Sequence, residues 1–189
     1  MADISRLISK SRPDLLRYED LYKYFHSHPE LSHQERETAA KIAAEISKLN
    51  AFEIHTGIGG HGLAAVLRNG PGATVLLRAD MDGLPVQEET GLVYASTVRM
   101  KDRLGVEHPV MHACGHDMHI TGLLAAADLL VKAKDSWSGT VILCFQPAEE
   151  RGEGARAMVN DGLYNKVPLP DVVLGGHVMP FRAGMYLGS

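Results

Sequence analysis

The sequence predicts an α/β fold built on a mixed, largely parallel sheet flanked by helices. Amphipathic helical stretches alternate along the chain with short apolar runs of strand length, a pattern typical of α/β layer structures. The run "ATVLLR" at 73–78 is almost continuously apolar, as expected of a strand covered on both faces. With 189 residues, 45% of them hydrophobic, the chain can form one sizeable core, so we expect one domain.

Two helices are expected in the first fifty residues. Pro13 suits the first turn of a helix that runs to about Phe25. Ser32, followed three residues later by Glu35, has the form of a capping box, in which two side chains bond to backbone amides at a helix start. The helix behind it is indicated by apolar residues at helical spacing: Ala39, Ile42, Ala43, Ile46 and Leu49.

The later elements continue the alternation of strands and helices. Strands are expected near 52–56, 62–68 and 73–78, then in "TVILCF" and "DVVLGG", with further strand character near Met185. A helix is expected near 155–160, and a long amphipathic one is marked by Ile120, Leu123, Leu124, Ala127 and Val131.

The glycine-rich segment "GIGGHG" has the spacing of a dinucleotide-binding turn. That turn must open a helix, whereas a strand-and-turn sequence follows here. We therefore predict a hairpin loop at this point.

Charge and composition narrow the classes of partner. The net charge is −4 and the basic residues are scattered, which argues against a nucleic-acid or membrane surface and favours small molecules or peptides. No stretch approaches a membrane-spanning length and no signal-peptide core precedes the domain, so a cytoplasmic location is expected. Cys114 and Cys144 do not form a disulfide framework, and Cys144 is expected to be a buried thiol.

Polar residues follow three of the predicted strands. These residues are Asp80 with Asp82, Glu149 with Glu150, and His177. Because ligands bind outside the carboxyl ends of strands in open α/β sheets, we expect them to converge with the segment "MHACGHDMH". Such a mixed sulfur, nitrogen and oxygen set suits zinc best and also admits cobalt, nickel, manganese or iron.

Structural interpretations of that segment stay open at this stage. His112, His116 and His119 are spaced as one face of a helix and can form a solvated stripe, although Gly115 favours a loop up to about His116. Asp117 can cap the next helix, a role compatible with supporting a histidine ligand.

The paired acids also have a structural interpretation. Glu149 and Glu150 can be first-turn acids favoured by the dipole of the next helix. Beside a metal, a chemical role is the better interpretation. We expect the remaining histidines at the surface or in packing: His26, His28, His33, His55, His61 and His108.

Five segments together resemble the dinuclear-metal amidohydrolases, which include hippurate hydrolases, aminoacylase-like N-acyl-amino-acid amidohydrolases and auxin-conjugate hydrolases. They are "HPELSHQERETA", "LLRADMDGLPVQEETGL", "MHACGHDMH", "GTVILCFQPAEERGEGARAMVNDGL" and "GGHV", in the family's order and at roughly its spacings. The resemblance implies a zinc-exopeptidase-like catalytic domain that hydrolyses N-acyl amino acids. It also implies two divalent transition-metal ions, which can be zinc, manganese, cobalt or nickel.

The resemblance assigns roles position by position. It implies metal ligation by Cys114, His116, Glu150 and His177. Glu149 would be the general base, and Asp82 is placed with it among the catalytic residues. Asp80, Asp117, His112 and His119 are expected to support the metals or the substrate. An uncoordinated carboxylate suits the base because it can move a proton from water to the leaving amine.

Members of this family are roughly twice as long as this chain. The resemblance implies that residues 1–189 are the N-terminal part of the catalytic domain, without the smaller lid or dimerisation domain and the C-terminal return. A further histidine ligand is expected in that return, so this half-length chain can be inactive. We expect an exposed sheet edge or apolar surface that favours a homo-oligomer. The alternatives are a metallo-dipeptidase or carboxypeptidase, and a non-catalytic metal-binding fragment.

Overall fold

The structure is a computed structural model that describes residues 4–182, 184 and 185. Its main sheet contains β1 (Glu53–Ile58), β2 (Gly62–Asn69), β3 (Thr74–Asp80), β6 (Gly139–Gln146) and β7 (Val172–Gly175). A separate two-stranded hairpin contains β4 (Arg99–Lys101) and β5 (Glu107–Pro109).

The main sheet is mixed, with strand order β1-β2-β6-β3-β7. β2 pairs antiparallel with both β1 and β6, whereas β3 pairs parallel with both β6 and β7. The α/β class and the mixed sheet are therefore confirmed. In the part of the chain that the structure describes, parallel and antiparallel pairings of this sheet are equal in number, so the sheet is less parallel than the sequence indicated.

Helices cover both faces of the sheet. They are α1 (Ile4–Ser11), α2 (Leu15–Ser27), α3 (Arg36–Ser47), α4 (His116–Lys132), α5 (Gly154–Asn160) and α6 (Leu163–Lys166), with a 3₁₀ turn at Lys134–Ser136. Alternate residues of β6 face the two layers: Leu143 packs with α2, α3 and α4, and Ile142 packs with α5 and α6. This burial on both faces explains the continuous apolar run that the sequence shows at β6.

Each predicted helix and strand before residue 180 is present within a few residues of its expected position. Helix α2 begins at Leu15, two residues after Pro13, because Asp14 is its N-cap and the Asp14 carboxylate accepts a hydrogen bond from the Leu16 amide at 3.1 Å. Pro13 therefore lies before the helix. The glycine-rich segment is the predicted hairpin loop between β1 and β2. Helices α1 and α6 and the β4-β5 hairpin were not predicted.

The predicted capping box of α3 is wrong. Neither Ser32 nor Glu35 bonds to the amides of this helix in the reciprocal pattern that a capping box requires; both side chains bond to segments distant in sequence. The carboxylate of Glu30 takes this role instead, accepting hydrogen bonds from the amides of Glu37 at 3.2 Å and Thr38 at 2.7 Å. The start of α3 thus leaves Ser32 and Glu35 available for other contacts.

The last strand of the main sheet has an exposed apolar edge. β7 pairs with β3 alone among the described strands, and Val172, Val173 and Leu174 are 46%, 59% and 54% exposed. The predicted exposed edge is thus confirmed, whereas self-association stays a prediction. Met185 lies outside the described strands, and 186–189, where the last predicted strand would continue, lie outside the described residues. None of the described helices combines the length and apolar character of a membrane span.

Glu45 is a buried carboxylate on α3 that ties three cationic side chains together. It pairs with Arg17 at 2.9 Å, Lys41 at 3.0 Å and Lys48 at 2.7 Å. Burial raises the pKa of Glu45, but these three partners outweigh burial and lower the pKa to about 2. Because the pKa is lower in the folded chain than in the unfolded one, the ionised carboxylate stabilises the fold at neutral pH.

We therefore expect Glu45→Gln to lower the free energy of unfolding at pH 7 by about 2 kcal/mol, after allowance for screening of the exposed partners. The difference from the parent chain should shrink as the pH falls from about 4.3, the unfolded pKa, towards about 2. Urea unfolding at several pH values measures both effects. The exposed Glu19→Gln variant is the control and should unfold like the parent; a pH-independent loss in Glu45→Gln would contradict the prediction.

Candidate metal centre

The candidate site lies at the carboxyl ends of β3 and β6. The parallel register places Asp80 opposite Gln146, so the segments that follow the two strands leave the sheet at the same edge. Asp82 follows β3, Glu149 and Glu150 follow β6, and the amides of both glutamates bond to Asp82. The convergence expected from the strand pattern is present in the structure.

Two groups of metal-binding atoms share the His116 side chain. One group contains Cys114, His116 and Glu150, and the other contains Asp80, His116, His119 and His177. Within each group the ligand atoms lie within 4.8 Å of one another. The structure thus brings together all four residues predicted as ligands, and their roles as ligands stay predictions.

His116 offers one ring nitrogen to the site. Its Nδ1 donates a hydrogen bond to the Asp82 carbonyl oxygen at 2.8 Å, which leaves a lone pair on Nε2. Nε2 is buried and has no hydrogen-bond partner among the described residues. Carboxylate oxygens of Asp80, Glu149 and Glu150 lie 3.6, 3.7 and 3.8 Å from it. These distances are too long for good hydrogen bonds but close to the roughly 3.4 Å that separates two ligands of one tetrahedral zinc ion.

Electrostatics also favour a cation at this point. Burial lowers the pKa of His116, but its contact with Asp82 and the charges of Asp80 and Glu150 outweigh burial and raise the pKa. The contact with Glu150, together with burial, raises the pKa of the Cys114 thiol to about 11. A divalent cation would reverse that effect by favouring the thiolate and neutralising the carboxylates. The donor set and the unpartnered His116 Nε2 therefore fit a transition-metal ion.

Asp80 and His119 form a hydrogen bond beside the two ligand groups. Asp80 is completely buried; burial raises its pKa, but the His119 hydrogen bond and nearby cationic side chains outweigh burial and lower it to about 2. His119 donates from Nδ1 to Asp80 at 2.5 Å and accepts from the Val178 amide at Nε2, at 2.9 Å. Both of its ring nitrogens are therefore engaged, and the supporting role expected of His119 stays a prediction.

His177 lies two residues after the end of β7, on the exposed side of the site. Its Nδ1 donates to the Val178 carbonyl oxygen at 2.6 Å, so the lone pair is on Nε2. The ring centroids of His177 and His119 are 4.6 Å apart. His177 is thus placed as the sequence predicted, at the end of a strand and beside the other histidines.

Asp82, predicted to be catalytic, lies beneath the loop that carries the two glutamates. Its side chain is buried, Oδ1 accepts from the Glu149 amide at 3.0 Å, and Oδ2 accepts from the Glu150 amide at 3.1 Å. Oδ2 also accepts from the Ser32 hydroxyl at 2.6 Å. Burial raises the pKa of Asp82, but its hydrogen bonds, above all with His116, outweigh burial and lower it. Both oxygens of the Asp82 carboxylate are thus engaged by the loop and by Ser32, and its catalytic role stays a prediction.

Asp117 and His112 are buried and belong to neither of the two ligand groups. Asp117 lies in the first turn of α4, whose N-cap is Gly115; its Oδ1 accepts a hydrogen bond from the Met118 amide at 2.8 Å, and its Oδ2 bonds to His26 Nδ1 at 2.6 Å. His26 Nε2 bonds in turn to Glu88 at 2.9 Å. His112 is buried without a hydrogen-bond partner for either ring nitrogen among the described residues, and burial lowers its pKa to about 4. The supporting role expected of His112 stays a prediction.

Sequence reasoning missed two residues that shape the loop. Glu35, interpreted as part of a capping box, accepts a hydrogen bond from the Ala148 amide at 2.7 Å. Gly154 packs so closely on the loop that a Cβ atom there would lie 1.6 Å from the Pro147 carbonyl oxygen. The segments "HPELSHQE" and "PAEERGEG" contain both residues, but periodicity alone gives no signal for contacts between them.

Comparison with known proteins gives a family match. The pattern of peptidase family M20/M25/M40 matches residues 76–185. Hippurate hydrolase of Campylobacter jejuni is 42% identical over 165 residues, which are 87% of this chain and 40% of that protein. Thermostable carboxypeptidase 1 of Saccharolobus solfataricus is 42% identical over 180 residues, covering 91% of this chain and 42% of that protein.

A solved structure shows the same fold. The YXEP protein of Bacillus subtilis, described as a dinuclear metal-binding peptidase of family M20, superposes with a TM-score of 0.76 at 36% identity. The match covers 87% of this chain and 43% of that one. The chain thus spans about two fifths of the length of these relatives.

We expect Gly154→Ala to displace the loop that carries Glu149 and Glu150, because the new Cβ would overlap the Pro147 carbonyl. The substitution should lower the free energy of unfolding by about 3 kcal/mol and weaken binding of added zinc. Gly122→Ala is the matched control, since its Cβ meets nothing within 4 Å and lies in α4, where alanine should stabilise by about 1 kcal/mol. Thermal unfolding and zinc titration test both variants; parent-like behaviour of Gly154→Ala would show that the loop does not depend on this contact.

Proposed function

Because the chain belongs to peptidase family M20/M25/M40, we propose that it is part of a metal-dependent hydrolase that cleaves the amide bond of N-acyl amino acids. The products are a carboxylic acid and an amino acid. The observation that carries the proposal is the pair of ligand groups sharing His116, with a carboxylate oxygen of Glu149 only 3.7 Å from His116 Nε2.

In this proposal two divalent transition-metal ions are held by Cys114, His116, Glu150 and His177. Zinc, manganese, cobalt and nickel all suit this set of sulfur, nitrogen and oxygen donors. When bound, such ions polarise a scissile carbonyl and lower the pKa of water to about 7. The Asp82 carbonyl fixes the tautomer of His116, and Asp80 and His119 hold the surrounding segments in place.

Glu149 is the proposed general base. It follows β6 on an exposed part of the loop, with its side chain 37% exposed, whereas the Glu150 side chain is 18% exposed. Asp82 accepts hydrogen bonds from both backbone amides and so fixes the direction of the two side chains. The Glu149 carboxylate takes a proton from the attacking water and passes it to the amine nitrogen as the C–N bond breaks.

A metallocarboxypeptidase or metallo-dipeptidase is the second candidate function. It is favoured by the similarity to thermostable carboxypeptidase 1, whereas the similarity to hippurate hydrolase favours the N-acyl substrates. Both reactions use the same metals and base and differ in the group on either side of the amide bond.

We also propose that residues 1–189 form the N-terminal part of a catalytic domain. The remaining part would supply a lid or dimerisation domain and a C-terminal return that adds another histidine ligand. The exposed β7 edge supports a homo-oligomeric or otherwise partnered assembly. A cytoplasmic location is proposed as well; the buried thiol of Cys144 supports it, since reduced cysteines are typical of reducing compartments.

The role of Glu149 can be separated from metal binding. We expect Glu149→Gln to keep its metal content, because Glu149 is not a proposed ligand, while turnover of N-acetyl amino acids falls at least about 100-fold. Cys114→Ser is the contrasting variant, expected to lose metal as measured by elemental analysis after dialysis. Unchanged turnover in Glu149→Gln would exclude it as the base. A parent protein that binds no metal would contradict assembly of the site from Cys114, His116, Glu150 and His177 alone.

Substrate class can be tested with a panel of amides. N-acetyl and N-benzoyl amino acids should be hydrolysed faster than dipeptides and C-terminally blocked peptides, in a form of the protein that binds metal. Release of free amino acid measures all of them with one assay. A preference for dipeptides would favour the second candidate, and no hydrolysis of any amide by the metal-loaded protein would favour a non-catalytic metal-binding fragment.

A further inference from the structure

Three consecutive backbone amides of the glutamate loop donate to two buried carboxylates. The amides of Glu149 and Glu150 bond to Asp82 at 3.0 and 3.1 Å, and the amide of Ala148 bonds to Glu35 Oε1 at 2.7 Å. Asp82 lies between the ligand groups and the loop. Glu35 has no contact with any proposed ligand side chain among its hydrogen bonds in the described residues, and its contact with the loop is separate.

Glu35 is held in place by contacts with residues close to it in sequence. Its side chain is completely buried, and the oxygen that binds Ala148 also accepts from the His33 amide at 3.0 Å. Its backbone carbonyl accepts from the Ala39 amide at 2.9 Å, which joins Glu35 to the first turn of α3. The Glu35 oxygen that accepts the hydrogen bond from the Ala148 amide is therefore held in place by α3, which packs into the core.

Ala148 has the backbone conformation that most needs such an anchor. Its φ is +47°, in the left-handed region that side chains other than glycine rarely adopt. The amides of Glu153 and Gly154 bond to its carbonyl at 3.3 and 3.2 Å, so the peptide groups on both sides of Ala148 are held. This strained residue comes directly before Glu149, and the direction in which the chain leaves it determines where both glutamate side chains point.

We propose that Glu35 is a positioning residue for Glu149 and Glu150, acting through the Ala148 amide. The inference rests on the proposed function, in which these two glutamates are the base and a metal ligand. Glu35 keeps Ala148 in its left-handed conformation, and this conformation turns the two carboxylates towards His116.

The role of Glu35 requires an acceptor oxygen and not a negative charge. Burial raises the pKa of Glu35 above its usual range, although the hydrogen bonds from backbone amides lower it. Its second oxygen, Oε2, is buried without a hydrogen-bond partner among the described residues. Glutamine at this position would offer the same acceptor oxygen to Ala148, whereas leucine would offer none and aspartate would be one methylene too short.

The test compares Glu35→Leu, Glu35→Asp and Glu35→Gln with the parent chain, using Co²⁺ alone as the probe. We expect Glu35→Leu and Glu35→Asp to weaken Co²⁺ binding about 10- to 100-fold and to change the visible absorption spectrum of the bound ion. Glu35→Gln should stay within about threefold of the parent and keep its spectrum. Glu45→Gln is the control for a buried glutamate of the same region that lies away from the loop; it should lose stability and keep the parent's Co²⁺ affinity.

Hydrogen exchange gives a readout that does not depend on metal. The backbone amides of 148–150 should exchange faster in Glu35→Leu and Glu35→Asp than in Glu35→Gln or Glu45→Gln, measured by mass spectrometry without added ions. Parent-like exchange and Co²⁺ affinity in both Glu35→Leu and Glu35→Asp would overturn the positioning role while leaving the proposed function intact. A parent chain that binds no Co²⁺ would overturn the metal assignment instead, and exchange rates would then decide whether Glu35 holds the loop.

Discussion

The buried carboxyl group of Asp82 joins segments that come from separate parts of the chain. The carboxylate of Asp82 accepts hydrogen bonds from the Ser32 hydroxyl and from the amides of Glu149 and Glu150. The backbone carbonyl of Asp82 accepts a hydrogen bond from the ring of His116. An ionised carboxylate is stable in such a place only when hydrogen bonds replace the water it has lost. The loops at this edge of the sheet therefore occupy one arrangement, because any other would leave Asp82 unsatisfied.

The same region concentrates carboxylates, and of these Asp80 is paired with Arg78 at 2.7 Å. Carboxylate oxygens of Asp80, Glu149 and Glu150 lie 3.6, 3.7 and 3.8 Å from His116 Nε2, and the charges of the same three residues raise the pKa of the nearby Cys114 thiol. Like charges at such distances are costly away from bulk water. The negative charge of these carboxylates therefore favours the binding of cations. This electrostatic attraction is the physical basis of the metal-binding role proposed for the site.

The parts of this architecture that could be predicted are those with a local signal. A run of apolar residues identified β6, apolar residues at helical spacing identified α4, and the rule that ligands lie beyond strand ends placed Glu149, Glu150 and His177 near one another. The failures involve contacts between distant segments. Ser32 and Glu35 have capping-box spacing, yet their partners lie 50 and 113 residues away, so their roles depend on tertiary structure. The three-residue strands β4 and β5 are too short for a periodic signal.

The position of His177 two residues after the end of the exposed strand β7 has a thermodynamic consequence. Any strand that pairs with the open edge of β7 also restrains the backbone that carries this histidine, and a metal bound by the histidine restrains β7 in return. Two binding events that order the same segment are linked, and each must strengthen the other by the same factor. Pairing at the sheet edge would then raise the affinity for metal, and bound metal would strengthen that pairing.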